Sequence, residues 1–349
     1  MDINPQYMSR ALQLAAIGRY NASPNPMVGA VIVDAAGKII GEGYHRCCGE
    51  GHAEVNAVAS VKNRDGLCDS TMYVTLEPCS HYGKTPPCAN LIIQSGIKRV
   101  VVGCLDPFEK VSGRGVQMLR DAGVEVEVGV LKQECEQLNV RFFTAHKLRR
   151  PYVMLKWAQS KDGFMDHDRS SDANAKRFST PLTSMLVHQL RAQCDAIMVG
   201  SNTIIADRPK LNTRLWGGRS PRVVIVDRRN RVAELIKELQ FNRPMYLASK
   251  CDTRCANLVE WIEIDGDEPI ESWLHKLYEH GITSLLVEGG ATLLKSFVDC
   301  GVWDVARVET APFDLNQSGR CVAPSLNISP RNIKMIDGNK IEFYFPDKA

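Results

Sequence analysis

The chain has 349 residues, 44% of them hydrophobic and 24% charged, and a formal net charge of +3. This length and composition predict a globular protein of about two domains. A charge this small argues against nucleic acid or an anionic membrane as a partner, although it is compatible with a phosphorylated substrate. No apolar run reaches the roughly 18 residues that a membrane-spanning helix needs.

Helix and strand patterns alternate along the first part of the chain. Apolar periodicity predicts helices over 6–18, 52–61, 88–95 and 116–122, and strands over 27–34, 39–40, 71–76, 99–104 and 125–130. The run 99–104 is continuously apolar after its first residue, as expected of a strand that is buried on both faces. Two helical layers around a mixed sheet, an α/β fold, follow as the predicted packing.

A basic segment that ends at a proline, 146–151, interrupts this alternation. We place a boundary there, which gives predicted domains of residues 1–146 and 147–349. A second βα series follows, with strands predicted over 152–159, 196–200, 223–227, 245–248 and 285–288 and a helix over 181–193. The cations of the segment are interpreted as a solvated linker.

Cysteine usage bears on the cellular compartment. The twelve cysteines are scattered, and the polar segment Met1–Pro5 is unlike a secretory signal. These features favour reduced thiols in the cytoplasm over a disulfide framework, and they leave a few cysteines to bind metal.

The strongest chemical signal is the ordered set His52-Ala53-Glu54, Pro78-Cys79 and Cys88. A catalytic zinc site needs three protein ligands and one open position for water, and one imidazole with two thiolates supplies the three. Because two thiolates already balance the charge of Zn²⁺, a nearby carboxylate is needed to take a proton from the water. Glu54 fits that task, and zinc deaminases use this arrangement.

The spacing of the set imposes a condition on local structure. Residues two apart in the middle of a helix point to nearly opposite sides, so His52 and Glu54 can share a site only at a helix start. Pro87 likewise indicates that Cys88 lies at a helix N-terminus, where unpaired N–H groups favour a thiolate. The alternatives are no metal, or a closed structural zinc site with a fourth ligand from His45, Cys47, Cys48 and His81. The ordered set favours catalysis.

Longer segments resemble the bifunctional deaminase–reductase family of riboflavin biosynthesis. In that family's deaminase, as here, eight residues separate the two cysteines of the metal loop, Cys79 and Cys88. The other matching segments are Pro24–Gly29, Gly41–His45, Asp106-Pro107 and Val111–Gly115. The second half of the chain resembles the family's reductase.

For the first domain the resemblance implies a cytidine-deaminase-like three-layer fold. It would convert 2,5-diamino-6-ribosylamino-4(3H)-pyrimidinone 5′-phosphate to the aminouracil, with zinc on His52, Cys79 and Cys88 and proton transfer by Glu54. Asn25 would contact the pyrimidine or the ribose. The side chains that would face the phosphate, a task suited to cations, are His45, His81 and Lys84. Phe108 departs from the family, which carries asparagine after Asp-Pro.

In the second domain the residues alone indicate an α/β unit with a Gly289-Gly290 turn, which could hold a phosphate or be a bare tight turn. The resemblance implies a dihydrofolate-reductase-like domain that uses NADPH to reduce the ribosyl group to ribityl. The substrate contacts that it implies are Arg191, Leu211, Arg214 and Glu288. The cofactor contacts that it implies are Ala158, Thr203, Asp207, Gly290, Ala291 and Thr292.

Departures from the family are concentrated in this second domain. Arg177 and Ala175 replace a tryptophan and a serine, Arg208 interrupts an Asp-Asp-Pro run, and Arg228 replaces a small hydroxyl residue. These changes predict altered cofactor stacking or a stronger contact with the NADPH 2′-phosphate. The alternative function is deamination alone, with a non-catalytic second domain.

A further alternative is a structural zinc module for nucleic acid. It would need a basic stripe with interleaved aromatics, and none is evident in the sequence. The family also implies a homodimer or higher homo-oligomer.

Overall fold

The computed structural model describes residues 3–82, 86–108, 112–170, 175–239, 243, 245–249, 259–263 and 268–346. The chain divides into two compact units, Met1–Arg149 and Arg150–Ala349. The boundary placed from the sequence, between 146 and 147, falls a few residues earlier, inside the helix Val140–Leu148.

The first unit is a five-stranded sheet with helices on both faces. Its strands are β1 (Gly29–Val33), β2 (Ile39–Tyr44), β3 (Thr71–Leu76), β4 (Arg99–Cys104) and β5 (Glu125–Val128). Its helices are α1 (Pro5–Ile17), α2 (Ala53–Ser60), α3 (Cys88–Gln94), α4 (Arg114–Asp121), α5 (Lys132–Leu138) and α6 (Val140–Leu148). The strand order is β2-β1-β3-β4-β5, in which β1 is antiparallel to both neighbours and β3, β4 and β5 are parallel.

Two separate apolar layers hold this sheet between its helices. Because successive strand residues point to opposite faces, Ile32 joins the core under α2, α3 and α4, whereas Val31 joins the core under α1, α5 and α6. The predicted three-layer α/β architecture is confirmed. The loops that follow the parallel strands β3 and β4 meet at one edge of the sheet, where open α/β sheets bind ligands.

The second unit is built on a nine-stranded sheet. The described strands of the unit, of which all but β7 and β14 belong to this sheet, are β6 (Tyr152–Gln159), β7 (Phe164–His167), β8 (Ala196–Gly200), β9 (Arg222–Val226), β10 (Met245–Ser249), β11 (Val259–Glu263), β12 (Ser284–Glu288), β13 (Val305–Thr310), β14 (Gly319–Val322), β15 (Asn332–Ile336) and β16 (Asn339–Tyr344). Its helices are α7 (Pro181–Ala192), α8 (Ser201–Asp207), α9 (Ala233–Leu239), α10 (Ile270–Glu279) and α11 (Ala291–Cys300).

The large sheet runs β11-β10-β9-β8-β12-β6-β13-β16-β15, and β7 pairs with β14 in a small separate sheet. The seven strands from β11 to β13 are parallel, and β16 and β15 add an antiparallel edge. One face carries an apolar core that includes Leu155, Val287, Trp273 and Phe297. The other face carries charged side chains on neighbouring strands. In the described part of the chain, no helix is long and apolar enough to cross a membrane.

Candidate active sites

Three side chains converge where β3 ends and where α2 and α3 begin. His52 is the N-cap of α2, Cys79 follows β3, and Cys88 is the first residue of α3 after Pro87. Both helix starts therefore lie where the spacing predicted them. The His52 Nδ1 atom is 3.5 Å from Cys79 Sγ and 3.3 Å from Cys88 Sγ. No second metal-binding group of three or more such side chains occurs among the residues that the structure describes.

The chemistry of this donor set fits zinc. The ligand atoms lie within 4.8 Å of one another, a separation that a tetrahedral ion with two thiolates and one imidazole can span. The neighbouring Cys88 thiol, and then His52, lower the pKa of Cys79 well below its ordinary range. The Cys88 backbone N–H also donates to Cys79 Sγ at 3.3 Å. The cluster therefore already favours one thiolate, the form that binds metal.

Glu54 lies beside this cluster, in the first turn of α2, and is only 3% exposed. Burial, and secondarily the charge of Cys79, raise the pKa of Glu54 to about 7. A buried carboxyl with a pKa near neutrality can both accept and release a proton during a reaction.

Asn25 and His45 form a hydrogen-bonded pair next to the zinc ligands. The Asn25 amide Nδ2 lies 3.1 Å from His45 Nε2, and His45 Nδ1 lies 3.2 Å from the Gly51 carbonyl oxygen. His45 is 2% exposed, its ring stands edge-on to His52 at 5.6 Å, and burial lowers its pKa. A neutral ring that donates to Gly51 and accepts from Asn25 satisfies both contacts. Both ring nitrogens that were expected at a phosphate are thus engaged inside the protein.

The remaining residues of the predicted phosphate site are placed differently. His81 is exposed at the start of the metal loop, and Lys84 lies outside the described residues. Phe108 is exposed and stacks edge-on with His146 of α6 at 5.8 Å.

Two supporting residues of this site were missed by sequence reasoning. Glu77 is buried directly before Pro78-Cys79, and its carboxylate accepts four backbone N–H groups, from Asp106, Gly113, Gly115 and Val116. Asn139, between α5 and α6, accepts from the Met27 N–H and donates to the Met27 carbonyl, both at 2.8 Å. The available signal for Glu77 was a charged residue at the end of an otherwise apolar strand. Asn139 gave no comparable signal.

The second unit holds a buried ion pair on the polar face of its sheet. Arg191 of α7 donates to both carboxylate oxygens of Glu288, at 2.9 Å and 2.7 Å, and to the Asn212 carbonyl at 3.1 Å. Burial would raise the pKa of Glu288, but the charge and hydrogen bonds of Arg191 outweigh it and hold the pKa at about 2. Lys156 of β6 is the cross-strand neighbour of Glu288 on β12, and burial lowers the pKa of Lys156.

Arg214 lies on the loop that follows α8, close to this pair. It is exposed and donates to Asn212 Oδ1 at 3.1 Å. Leu211 begins the same loop segment, is buried, and has a left-handed φ of 51°. The structure therefore brings Arg191, Arg214 and Glu288 together around one loop.

The residues predicted for a cofactor lie at the ends of parallel strands. Gly289 and Gly290 have φ values of 87° and 77°, a conformation that favours glycine, and they lie against Thr203. Gly290 is the N-cap of the ten-residue helix α11, which begins with Ala291 and Thr292. No side chain among the described residues caps the N–H groups at this helix start. This turn fits a dinucleotide phosphate, because unpaired N–H groups at a helix start bind anions.

The other two predicted cofactor residues lie on β6, the neighbour of β12, and on α8, the helix that carries Thr203. Ala158 of β6 is half-buried against a small apolar cluster that includes Phe178. Asp207 ends α8 and pairs with Arg169 at 2.7 Å. Of the three departing arginines, Arg177 is exposed. Arg208 pairs with Glu238 at 3.4 Å, and Arg228 lies 4.8 Å over the Trp273 ring.

Comparisons with known proteins match both units. A family model described as the cytidine and deoxycytidylate deaminase zinc-binding region matches residues 1–104, and a model of the RibD C-terminal domain matches residues 151–334. The riboflavin biosynthesis protein RibD of Aquifex aeolicus is 37% identical over 98% of both chains. That of Escherichia coli is 35% identical over 97% of this chain and 94% of the relative.

Solved structures agree over the full length. Acinetobacter baumannii RibD superposes with a TM-score of 0.90 at 34% identity, covering 99% of both chains. A diaminohydroxyphosphoribosylaminopyrimidine deaminase/5-amino-6-(5-phosphoribosylamino)uracil reductase from Thermotoga maritima superposes with a TM-score of 0.84 at 34% identity, covering 98% of both chains.

Proposed function

Because the chain belongs to the RibD family of bifunctional riboflavin-biosynthesis enzymes, we propose specific roles for the residues of its two sites. The protein is a zinc-dependent deaminase of 2,5-diamino-6-ribosylamino-4(3H)-pyrimidinone 5′-phosphate and an NADPH-dependent reductase of the resulting aminouracil. We assign deamination to residues 1–146 and reduction to residues 147–349.

The deaminase proposal rests on the buried carboxyl of Glu54 beside the three metal ligands. His52, Cys79 and Cys88 would hold zinc, which supplies, when bound, a Lewis acid that makes water nucleophilic at neutral pH. Glu54 would take a proton from the water that attacks the amine-bearing carbon. It would then deliver the proton to the nitrogen that leaves as ammonia, and a pKa of about 7 suits both transfers.

The neighbouring polar residues would position the pyrimidine phosphate. Asn25 would contact the pyrimidine or ribose, with its amide oriented by His45, since their side chains are hydrogen-bonded. We therefore revise the role of His45 from a phosphate contact to an orienting residue. His81 and Lys84 would face the phosphate from the metal loop.

In the reductase, we assign the substrate to the loop and ion pair around Arg191. Arg214 would bind the substrate phosphate, because it is exposed and its side-chain partner among the described residues, Asn212, is neutral. Arg191 would orient Glu288 toward the substrate, because the Arg191 guanidinium already donates two hydrogen bonds to the Glu288 carboxylate. Leu211 would line the same loop.

The cofactor residues would hold NADPH, which supplies, when bound, the hydride that reduces the ribosyl group. The turn Gly290-Ala291-Thr292 would bind a phosphate on its N–H groups, and Thr203 would pack against it. Ala158 and Asp207 would complete the site. Among the residues that depart from the family, Arg228, two residues after β9, would contact the 2′-phosphate.

One paired assay tests both activities. We expect Glu54→Gln to keep zinc but to lose ammonia release by about 10³-fold, because proton transfer by a positioned side chain contributes that much. NADPH oxidation on pre-deaminated substrate should survive. The measurements are zinc content, ammonia release and NADPH consumption.

Glu50→Gln is the matched control, because Glu50 is exposed and precedes His52 in the same loop; it should behave as wild type. Wild-type ammonia release by Glu54→Gln would disprove the mechanism. Failure of the wild-type protein to oxidise NADPH on the aminouracil would instead support the alternative of deamination alone.

We also propose a cytoplasmic homodimer or higher oligomer. All ten cysteines in the described residues are free thiols, as expected in a reducing compartment. Light scattering of the purified protein over a range of concentrations measures the oligomeric state, and a concentration-independent monomer mass would overturn this proposal.

A further inference from the structure

One buried histidine lies among the proposed substrate residues of the reductase without a role there. His188 is on α7, three residues before Arg191, so both side chains lie on the same face of the helix. It is 4% exposed. Its charged neighbours are Arg191, Arg214 and Glu288, which are the residues assigned above to the substrate.

The His188 ring hydrogen-bonds with the residue that follows Arg214. Its Nδ1 atom accepts the Leu215 backbone N–H at 3.3 Å. Arg191 donates a hydrogen bond to the backbone carbonyl of Asn212, two residues before Arg214. Helix α7 therefore fixes the backbone before and after Arg214 and leaves its guanidinium exposed.

The ring is suited to this task because it is neutral. Burial, and then the charges of Arg191 and Arg214, lower the pKa of His188 to about 4. A protonated ring would lose the lone pair that accepts from Leu215 and would repel both arginines.

We propose that His188 is a positioning residue of the reductase, which holds Arg214 in place for the substrate phosphate by fixing the backbone of Leu215. This inference rests on the phosphate-binding role proposed for Arg214. The competing explanation is a core histidine that contributes only to stability.

The test measures NADPH oxidation by the full chain at varied aminouracil phosphate. His188→Phe and His188→Leu fill the space but cannot hydrogen-bond. We expect each to raise the KM for the aminouracil phosphate about tenfold, with kcat within about twofold of wild type. The reason is that the net free energy of one hydrogen bond corresponds to about a tenfold change in binding affinity. Inhibition by ribose 5-phosphate, a probe of the phosphate site, should weaken in parallel.

Two controls separate positioning from stability. His188→Asn retains an acceptor and a donor and should bring the KM back to within about threefold of wild type. Val187→Ala, at the equally buried neighbour on α7, should lower the unfolding temperature without changing the KM. Ammonia release should stay at the wild-type rate in every variant.

Arg214→Gln distinguishes the two proposals. If it raises the KM and the His188 substitutions leave the KM unchanged, or change it no more than Val187→Ala does, the inference about His188 is wrong. If Arg214→Gln itself leaves the KM unchanged, the phosphate-binding role of Arg214 fails instead.

Discussion

At the scale of single residues, Arg191 and Glu288 form the most consequential pair in the second unit. Both side chains are largely buried, and two parallel N–H···O bonds join them. Removing one partner would leave the other charge buried and uncompensated, which is costly even where the intact pair adds little net stability. Loss of either partner would therefore destabilise the unit, and the intact pair fixes the orientation of the Glu288 carboxylate.

We expect Arg191→Met to destabilise the second unit by about 3 kcal/mol, because it leaves the Glu288 carboxylate buried without its partner. Urea unfolding measures the free energy. Arg208→Met is the matched control, since the Arg208–Glu238 pair is more than half exposed and exposed pairs contribute about 0–1 kcal/mol. Equal losses in the two variants would contradict the assigned importance of the buried pair.

Also at this scale, the sequence identified residue types better than it identified their surroundings. His52, Cys79 and Cys88 were selected for their chemistry, and the structure places them within reach of one ion. The family resemblance implies a phosphate contact for His45. Its burial and its bond to Asn25 depend on how β2 lies against the 21–26 segment, which the sequence alone does not state.

At the scale of elements, the start of helix α6 supports the deaminase site although it is distant from that site along the chain. Asn139, next to α6, holds the backbone of Met27 by two hydrogen bonds across 112 residues of sequence separation. Met27 follows Asn25 in a loop before β1, so this contact fixes the position of the proposed substrate residue.

We expect Asn139→Ala to raise the deaminase KM and to lower the stability of the first unit by about 2 kcal/mol, the sum of two net hydrogen bonds. Zinc content and NADPH oxidation should be unchanged. Steady-state ammonia release and thermal unfolding are the measurements. Asn63→Ala, at an exposed helix cap, is the control, and a KM no different from this control would show that the loop needs no such support.

Several mostly buried strands were predicted with their bounds. The strands Thr71–Leu76, Arg99–Cys104, Tyr152–Gln159 and Ala196–Gly200 have the predicted limits. Helix α5 was missed because it buries a single residue, Cys135, and so gives no apolar period. Strands β15 and β16 were missed as well. Strand β15 is almost fully exposed at a sheet edge, where neither burial nor alternation marks the sequence.

At the scale of the whole molecule, each unit has its own sheet and its own core. All three zinc ligands belong to the first unit, where the metal would join the end of β3 to the starts of two helices. Zinc binding therefore adds to the stability of that unit alone.

We expect a chelator to lower the melting temperature of one calorimetric transition and to leave the other in place. A ligand at a thousand times its Kd stabilises the native state by about 4 kcal/mol, so the shift should be large. Added NADPH should raise the second transition only. In a Cys79→Ser/Cys88→Ser double variant the chelator should have no effect. A chelator that moved both transitions equally would contradict the independence of the two units.

The sequence by itself predicted the candidate zinc donor set, the carboxyl proposed to transfer protons and the two-part α/β organisation. These follow from residue chemistry and from patterns over a few neighbouring residues, such as the helix starts at His52 and Cys88. Only the tertiary structure decided that Asn139 holds Met27 and that His188 fixes the loop around Arg214. Those contacts join residues far apart in the chain, and they exist only because particular helices pack on particular strands.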